Sequence, residues 1–175
     1  MTALDPDAIK SSFAPVADTG TRLLVLGSLP GEMSLRRAQY YGNPVNQFWK
    51  LIGAVLGADV EALGYEGRLA ALQAAGVGLW DVVRSARRAG SLDGAIRDHA
   101  PNALAELAAS LPALRAIAFN GGKASAIGRR ELGGGPWALL DLPSSSPAHT
   151  MRFEAKLAQW RRLQPFLATD GAPVR

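Results

Sequence analysis

An α/β fold built on a short parallel sheet is predicted by three observations on the sequence. Four short apolar runs have the length and composition of buried strands, and segments with helical spacing of apolar residues separate them. This alternation is typical of parallel strands joined by helices that cover both faces of the sheet. The chain has 175 residues, 48% of them hydrophobic, which suits one domain with a complete core. We therefore expect residues 1–175 to form a single domain.

The predicted strands end where turn-forming residues begin. The first is followed by a Gly/Pro turn at residues 27–31, and the third by Asn120 and two glycines. The fourth is followed by a serine cluster that prolines bound on both sides. The four predicted strands are residues 23–26, 77–83, 114–119 and 137–142.

Five segments repeat apolar residues at the spacing of one helix face. The first is delayed until residue 46, which leaves a long loop after the first strand, and it stops at Gly57. The third follows Pro101, and proline is favoured in the first turn of a helix. The predicted helices are residues 46–56, 69–75, 103–109, 123–132 and 153–167.

Two segments fall outside this alternation. Residues 84–100 are polar, contain glycine and have little periodicity, so we interpret them as a long connecting or functional loop. The tail after Ala168 contains Gly171 and Pro173, and we predict that it is frayed.

The composition excludes several kinds of site. The chain has no cysteine, so disulfides, thiolate catalysis and zinc–thiolate or iron–sulfur centres are excluded. Its two histidines are far apart in the sequence, which argues against a histidine-rich metal centre. The net charge of +4 fits a polyanionic partner without requiring one. The first residues lack a signal-peptide core, and no apolar run could span a bilayer, so we expect a cytoplasmic monomer without membrane contact.

Polar and aromatic candidates cluster after the predicted strands. The carboxyl ends of parallel strands share one edge of the sheet, and ligands bind there in open α/β folds. Four loops should meet at this edge, and they carry Tyr41, Asn46, Asp81, Asn120 and His149. The chain has no Gly-x-Gly-x-x-Gly or P-loop motif and no Gly-x-Ser-x-Gly elbow. These patterns therefore give no support to a dinucleotide, nucleoside-triphosphate or α/β-hydrolase site.

Four motifs occur in a fixed order along the chain. They are Gly-Ser-Leu-Pro-Gly at 27–31, Tyr-Tyr-Gly-Asn-Pro-Val-Asn-Gln-Phe-Trp-Lys at 40–50, Phe-Asn-Gly at 119–121 and Leu-Pro-Ser-Ser-Ser-Pro-Ala-His at 142–149. Together they resemble the uracil-DNA glycosylase superfamily, and most of all its hypoxanthine-DNA (deoxyinosine) glycosylase branch. The resemblance implies a three-layer α/β/α sandwich with a short four-stranded parallel sheet. It also implies a monofunctional enzyme of base excision repair that uses no metal and no organic cofactor.

The activity that the resemblance implies is excision of a deaminated base from double-stranded DNA. Such enzymes flip the base out of the duplex and hydrolyse its N-glycosidic bond. Hypoxanthine is the first expected substrate, with uracil and xanthine as alternatives. Two other functions stay open at this point: a nucleic-acid-binding module without catalysis on the same fold, and a hydrolase of free nucleosides.

Two residues are catalytic candidates by this resemblance. Many relatives have a water-activating Asp or Asn at the position of Leu29, whereas a leucine side chain can neither activate nor orient water. The catalytic amide of the hypoxanthine branch resembles Asn46. An amide orients water by hydrogen bonds but cannot take its proton. Asn46 is equally suited to cap a helix. Asp81 follows the second strand and could accept a hydrogen bond from a base N–H, act as a base towards water, or pair with a nearby arginine.

Four residues are base-binding candidates. Tyr41 matches the aromatic residue that stacks on the base in related mismatch-specific enzymes, although a tyrosine of the core is the alternative. Asn120 offers a donor and an acceptor to a base edge, and it also suits a turn. Ser28 and Leu29 lie in the first turn, where backbone and side chain would face the base.

The remaining candidates would contact the DNA backbone or enter the base stack. Gly31, the serines Ser144, Ser145 and Ser146, and His149 are expected to hold phosphates through hydroxyl and N–H groups, and Ser144 stands where many relatives have histidine. Thr150, Met151 and Arg152 match the wedge region, in which Met151 is the residue suited to intercalate or to begin the apolar face of a helix. Among the basic residues, Arg36, Arg37, Arg87 and Arg88 are favoured for phosphate contacts.

Overall fold

The structure is a computed structural model that describes residue 5 and residues 8–169. The strands of this part of the chain are β1 (Ile9–Ser11), β2 (Leu23–Gly27), β3 (Val77–Asp81), β4 (Val83–Arg87), β5 (Arg97–Pro101), β6 (Ala116–Asn120) and β7 (Ala138–Leu142). The helices are α1 (Glu32–Arg37), α2 (Phe48–Leu56), α3 (Tyr65–Ala74), α4 (Leu104–Ser110), α5 (Gly122–Leu132), α6 (Phe153–Trp160) and α7 (Gln164–Leu167). Residues 170–175 of the predicted frayed tail lie outside this description.

A parallel sheet of four strands forms the centre, in the order β3-β2-β6-β7. All residues of β2 and β6 are buried, because these two strands lie inside the sheet with helices on both faces. Leu23 and Val25 pack in one apolar cluster with α2, α3 and α6. Leu24 and Leu26 face the opposite way, into a second cluster with α4 and α5. The predicted three-layer α/β/α sandwich with a four-stranded parallel sheet is therefore confirmed.

The interpretation of residues 84–100 as a loop is wrong. The predicted strand at 77–83 divides at Val82 into β3 and β4, and β4 pairs with β1 and β5 in a second, antiparallel sheet. A short 3-10 turn, Asp93–Ala95, separates β4 from β5. The β4–β5 ladder has register shifts and β5 is mostly exposed, so the regular alternation of apolar and polar residues is absent.

Two predicted helical boundaries also change. The loop after β2 contains the short helix α1, so the chain does not wait until residue 46 for a helix. The predicted helix at 153–167 is interrupted after Trp160 by a 3-10 turn, Arg161–Leu163, and resumes as α7. Pro165 lies in the first turn of α7, and proline cannot supply the N–H that an uninterrupted helix requires.

A buried arginine fixes the end of β4 to the turn after β2. The Arg88 side chain is fully buried, and its guanidinium donates hydrogen bonds to the carbonyls of Leu29 (3.3 Å), Pro30 and Gly90 (3.0 Å). Burial lowers the pKa of Arg88, and the carboxylate of Asp93 acts in the opposite direction. The expected contact between Arg88 and a DNA phosphate is wrong, because the charged group is enclosed by protein.

In the described part of the chain, no helix has the length and apolar character that crossing a membrane would require.

Replacement of Arg88 by Ala should destabilise the protein strongly. The carbonyls that it serves would lose their buried partner, at a cost of about 3 kcal/mol. A loss of that size lowers Tm by roughly 6–12 °C for a domain of this length. Thermal unfolding of Arg88→Ala beside Arg84→Ala measures this, because Arg84 is an exposed arginine of β4, the strand that Arg88 follows. Equal Tm values for the two variants would contradict the role given to Arg88.

Candidate active site

A cleft of about 910 Å³ opens at the carboxyl edge of the parallel sheet. The turn after β2, the end of β3, the end of β6 and the loop after β7 meet around it, as the parallel topology predicts. The predicted site residues that line the cleft are Ser28, Leu29, Gly31, Tyr41, Asn46, Asp81, Asn120, Ser144, Ser145, Ser146 and His149. Thr150, Met151 and Arg152 are not among its lining residues.

The carboxyl group of Asp81 lies deep in this cleft. Its side chain is 5% exposed, and its Oδ2 atom has no hydrogen-bond partner. Burial raises the pKa of Asp81 to about 7, with a further increase from the charge of Asp93 and a decrease from Arg88. The group therefore changes protonation near neutral pH, and one of its oxygens is enclosed by protein without a hydrogen-bond partner.

Gly27 makes room for this arrangement. It ends β2 beside Asp81, which ends β3 in register with it. A Cβ atom on Gly27 would lie 2.5 Å from Oδ1 of Asp81 and 3.1 Å from the hydroxyl oxygen of Tyr41. Any other residue at this position would displace one of the two side chains.

Tyr41 forms part of the cleft wall in a fixed orientation. Its ring stacks on Phe48 with 3.9 Å between centroids and an angle of 16°, and its carbonyl accepts a hydrogen bond from Nε1 of Trp49 (3.2 Å). Its backbone has the left-handed φ of 52°, which is uncommon for a residue other than glycine. Burial, assisted by the charge of Asp81, raises the pKa of Tyr41. Since Phe48 covers one face of the ring, a base could stack only on the other.

Asn120 joins Tyr41 to the loop after β7. Its Nδ2 donates to the hydroxyl oxygens of Tyr41 (3.2 Å) and Ser145 (2.9 Å), and its Oδ1 accepts from the backbone N–H of Ser145 (2.9 Å). Both amide protons are thus used within the protein. Recognition of a base edge by Asn120 stays a prediction, and it would use the second lone pair of Oδ1 or require these bonds to exchange.

Asn46 lies closer to the mouth of the cleft and is half-buried. Its Oδ1 accepts a hydrogen bond from the backbone N–H of Phe48 (2.9 Å), at the start of α2. The N-cap position of α2 belongs to Gln47, so Asn46 closes the turn before the helix and is not the N-cap that the sequence suggested. No hydrogen bond from Nδ2 to another described residue occurs, so this turn leaves the donor free for a ligand or a water molecule.

The serine cluster is anchored by a lysine that the sequence analysis did not select. Lys156 is 1% exposed, and its Nζ donates to Oε1 of Gln47 (2.9 Å) and to the carbonyl of Ser146 (3.2 Å). The N–H of Gln47 also donates to the carbonyl of Ser145 (3.0 Å). Burial lowers the pKa of Lys156. Lys156 lies four residues before the fully buried Trp160, so both side chains are on the inner face of α6. This spacing could have indicated from the sequence that Lys156 is buried.

Asp93 is a second residue that the sequence analysis missed. Its Oδ1 accepts a hydrogen bond from the hydroxyl of Ser28 (2.5 Å), and its carboxylate also lines the cleft. It lies among residues 84–100, whose weak periodicity predicts a connecting or functional loop, and nothing in that pattern distinguishes Asp93 from its neighbours.

The expected wedge region lies between β7 and α6. His149, Thr150, Met151 and Arg152 are all exposed, and the Met151 side chain is 41% exposed. An exposed methionine beside the cleft is compatible with insertion into DNA, and the wedge role stays a prediction. Within the described residues, no group of three or more His, Asp or Glu side chains could hold a metal ion.

Comparison with known proteins decides the family. The family model of the uracil DNA glycosylase superfamily matches residues 14–167. The chain belongs to this superfamily. A hypoxanthine DNA glycosylase of Methanosarcina acetivorans is 41% identical over 154 residues, covering 87% of this chain and 96% of the relative. One from Methanosarcina barkeri is 44% identical over 114 residues, covering 65% of this chain and 72% of the relative.

A solved member of the superfamily has the same fold. The solution NMR structure of a candidate uracil DNA glycosylase from M. acetivorans superposes with a TM-score of 0.80 at 38% identity. The superposition covers 91% of this chain and 99% of the other.

Replacement of Asp81 by Asn should stabilise the protein at neutral and alkaline pH. The pKa of Asp81 is about 7 in the folded protein against 3.8 in a model peptide, so the folded state binds more protons between these values. Stability therefore falls as pH rises from about 4 to about 7, and the full penalty is present above pH 7. One pKa unit corresponds to about 1.4 kcal/mol, so the variant should gain a few kcal/mol at pH 8 and little at pH 4.

Chemical denaturation of wild type and Asp81→Asn at both pH values measures this difference. A stability difference that is the same at pH 8 and pH 4 would show that the pKa of Asp81 is not raised by folding.

Proposed function

We propose that this protein is a monofunctional DNA glycosylase that removes hypoxanthine from double-stranded DNA in base excision repair. The observation that carries the proposal is the unpartnered carboxyl oxygen of Asp81 deep in the cleft. Unpartnered buried polar atoms are rare in proteins, and one at the floor of a cleft is suited to a ligand that supplies the missing hydrogen bond once the carboxyl group turns towards it. The two Methanosarcina hypoxanthine DNA glycosylases support the substrate.

The different burial of the two candidate catalytic residues, Asp81 and Asn46, suggests which one contacts the base and which one orients the water. A flipped nucleotide enters base first, so the edge of the base reaches deepest and the sugar stays near the mouth. Asp81 is 5% exposed, which fits recognition of the base edge. Asn46 is half-buried, which fits a position beside the sugar. We assign the base edge to Asp81 and the attacking water to Asn46.

The base edge of hypoxanthine is complementary to an ionised Asp81. Hypoxanthine carries a donor at N1–H next to the acceptor O6, whereas adenine carries an acceptor at N1. A carboxylate accepts a hydrogen bond from N1–H and repels the N1 lone pair of adenine. Uracil presents a similar donor at N3–H, and xanthine presents N1–H, so both remain alternative substrates under this proposal. The outer face of Tyr41 is available to stack on each of them.

Hydrolysis in this site depends on orientation and charge stabilisation. A water held by the amide of Asn46 would attack the anomeric carbon as the bond to N9 breaks and its electron pair moves to the base. One proton of the water stays on the sugar hydroxyl and the other is taken up by the leaving base. Because an amide cannot accept a proton, the rate must come mainly from fixed dipoles around the sugar and the base.

The proposal is tested by excision from a panel of 30-base-pair duplexes that contain one deoxyinosine, deoxyuridine or deoxyxanthosine. We expect an abasic product from deoxyinosine, and a single-turnover rate at least 100-fold lower for Asn46→Ala. Asn46→Ala also loses the hydrogen bond between Oδ1 of Asn46 and the backbone N–H of Phe48. This loss should lower the free energy of unfolding by only about 1 kcal/mol, so the variant stays folded. Absence of product from all three duplexes would refute the proposal, and full activity of Asn46→Ala would refute the role of Asn46.

Two variants of Asp81 separate base recognition from proton transfer. An Asn side chain keeps an acceptor for N1–H and adds a donor for O6, so Asp81→Asn should excise hypoxanthine within about tenfold of wild type. Asp81→Ala leaves the base edge without a partner and should lose at least about 100-fold. If Asn were as inactive as Ala in single-turnover assays, Asp81 would be a proton-transfer group instead of a reader of the base.

A further inference from the structure

An exposed leucine on the cleft rim has no role in the site as described so far. The side chain of Leu92 is 62% exposed and belongs to neither apolar cluster of the core. The exposed large apolar side chains of the described residues are Ile9, Val45, Leu63, Leu92 and Met151. Of these, Leu92 alone lines the cleft.

Hydrogen bonds of the two preceding residues, Gly90 and Ser91, fix the segment that carries Leu92. Gly90 turns the chain with the left-handed φ of 70°, and its carbonyl accepts hydrogen bonds from Arg88 (3.0 Å) and from Nζ of Lys10 (2.7 Å). The hydroxyl of Ser91 accepts a bond from the backbone N–H of Glu32 (3.0 Å). These bonds place Leu92 on a fixed support, so its exposure is part of the local fold.

The strand order places Leu92 opposite the expected wedge. The Leu92 segment follows β4, which continues from the edge strand β3. Met151 follows β7, which is the other edge of the same sheet. The cleft with Tyr41 and Asn120 lies between these two edges. A duplex laid across the carboxyl edge would therefore meet an apolar side chain on each side of the flipped nucleotide.

We propose that Leu92 is a second wedge, which enters the DNA base stack from the side of the cleft opposite Met151. The inference rests on the proposed glycosylase function. Extrusion of a nucleotide leaves a gap in the stack, and apolar side chains such as Leu and Met fill such gaps and keep neighbouring bases apart. In water the exposed Leu92 gains nothing from burial, whereas between bases its apolar surface is removed from solvent.

The surroundings of Leu92 fit a nucleic-acid partner. Arg36 also lines the cleft, and its side chain is 64% exposed, with a long 3.7 Å contact to Glu32, whose backbone N–H donates to the hydroxyl of Ser91. It supplies a positive charge for a phosphate next to the inserted leucine. A phosphate contact and an apolar insertion side by side are what binding to bent duplex DNA requires.

The test compares Leu92→Ala with Leu63→Ala, an exposed leucine outside the cleft. Both variants should keep the wild-type Tm, because neither side chain is part of the core. On a duplex with one deoxyinosine, Leu92→Ala should lower the single-turnover rate at least tenfold, and Leu63→Ala should leave it unchanged. On the same sequence as a single strand, which has no duplex stack to open, Leu92→Ala should be within twofold of wild type.

Two results would overturn the wedge. An equal loss on single-stranded and duplex DNA would mean that Leu92 contacts the flipped nucleotide itself, and no loss on the duplex would mean that it is not inserted. A second measurement does not need catalysis: the fluorescence of 2-aminopurine placed next to an abasic-site analogue in a duplex. Wild type and Leu63→Ala should raise it equally on binding, and Leu92→Ala should raise it clearly less, because only Met151 remains to enter the stack. Absence of any rise with wild type would refute the wedge, whereas absence of excision alone refutes only the glycosylase proposal.

Discussion

The close approach of β2 and β3 at their carboxyl ends is the constraint on which the cleft depends. Gly27 has no side chain, and only for this reason can the carboxyl group of Asp81 and the hydroxyl of Tyr41 lie against the end of β2. The result is a buried carboxyl group without a full set of partners, whose pKa is raised by burial and by Asp93. Such a group lowers the stability of the free protein, and a ligand that completes its hydrogen bonds recovers that free energy.

Three other buried polar side chains hold the walls of the cleft in place. Arg88 fixes the turn after β2, Asn120 joins Tyr41 to Ser145, and Lys156 joins Gln47 to Ser146. Each connects segments that are distant in the sequence, so the walls form only when the whole sheet is assembled. Dipoles and hydrogen-bond donors held in this way need little reorganisation when charge develops on a substrate. If Asn46 orients the water as we propose, the site depends strongly on such rigidity.

The sequence predicted the parts of the fold that apolar patterns determine. Residues 23–26 and 116–119 are continuous apolar runs because β2 and β6 are buried on both faces, and the convergence of the loops follows from parallel topology alone. The antiparallel sheet was missed because β4 and β5 are short, partly exposed and irregular in register. That error also hid Asp93 and Leu92.

The burial of charged side chains was not predicted from the sequence either. Arg88 looks in the sequence like any arginine of a basic loop, and only the three-dimensional structure shows that carbonyls of the turn enclose it. The spacing of Lys156 and Trp160 on one helix carried a signal that pattern reasoning treats as an ordinary amphipathic face. Asn120 was placed correctly at the cleft, but its bonds to Tyr41 and Ser145 depend on loops whose contacts the sequence does not encode locally.

We infer that Asp81 is kept for the base edge, and titration of its carboxyl carbon by ¹³C NMR tests this most directly. The resonance would be followed in the free protein and in a complex with duplex DNA that contains a non-cleavable deoxyinosine analogue. We expect a pKa of about 7 for Asp81 in the free protein and a lower pKa in the complex, because N1–H of hypoxanthine donates to the ionised form. A free-protein pKa of about 4, as in an unperturbed aspartate, or a titration unchanged by the DNA, would contradict it.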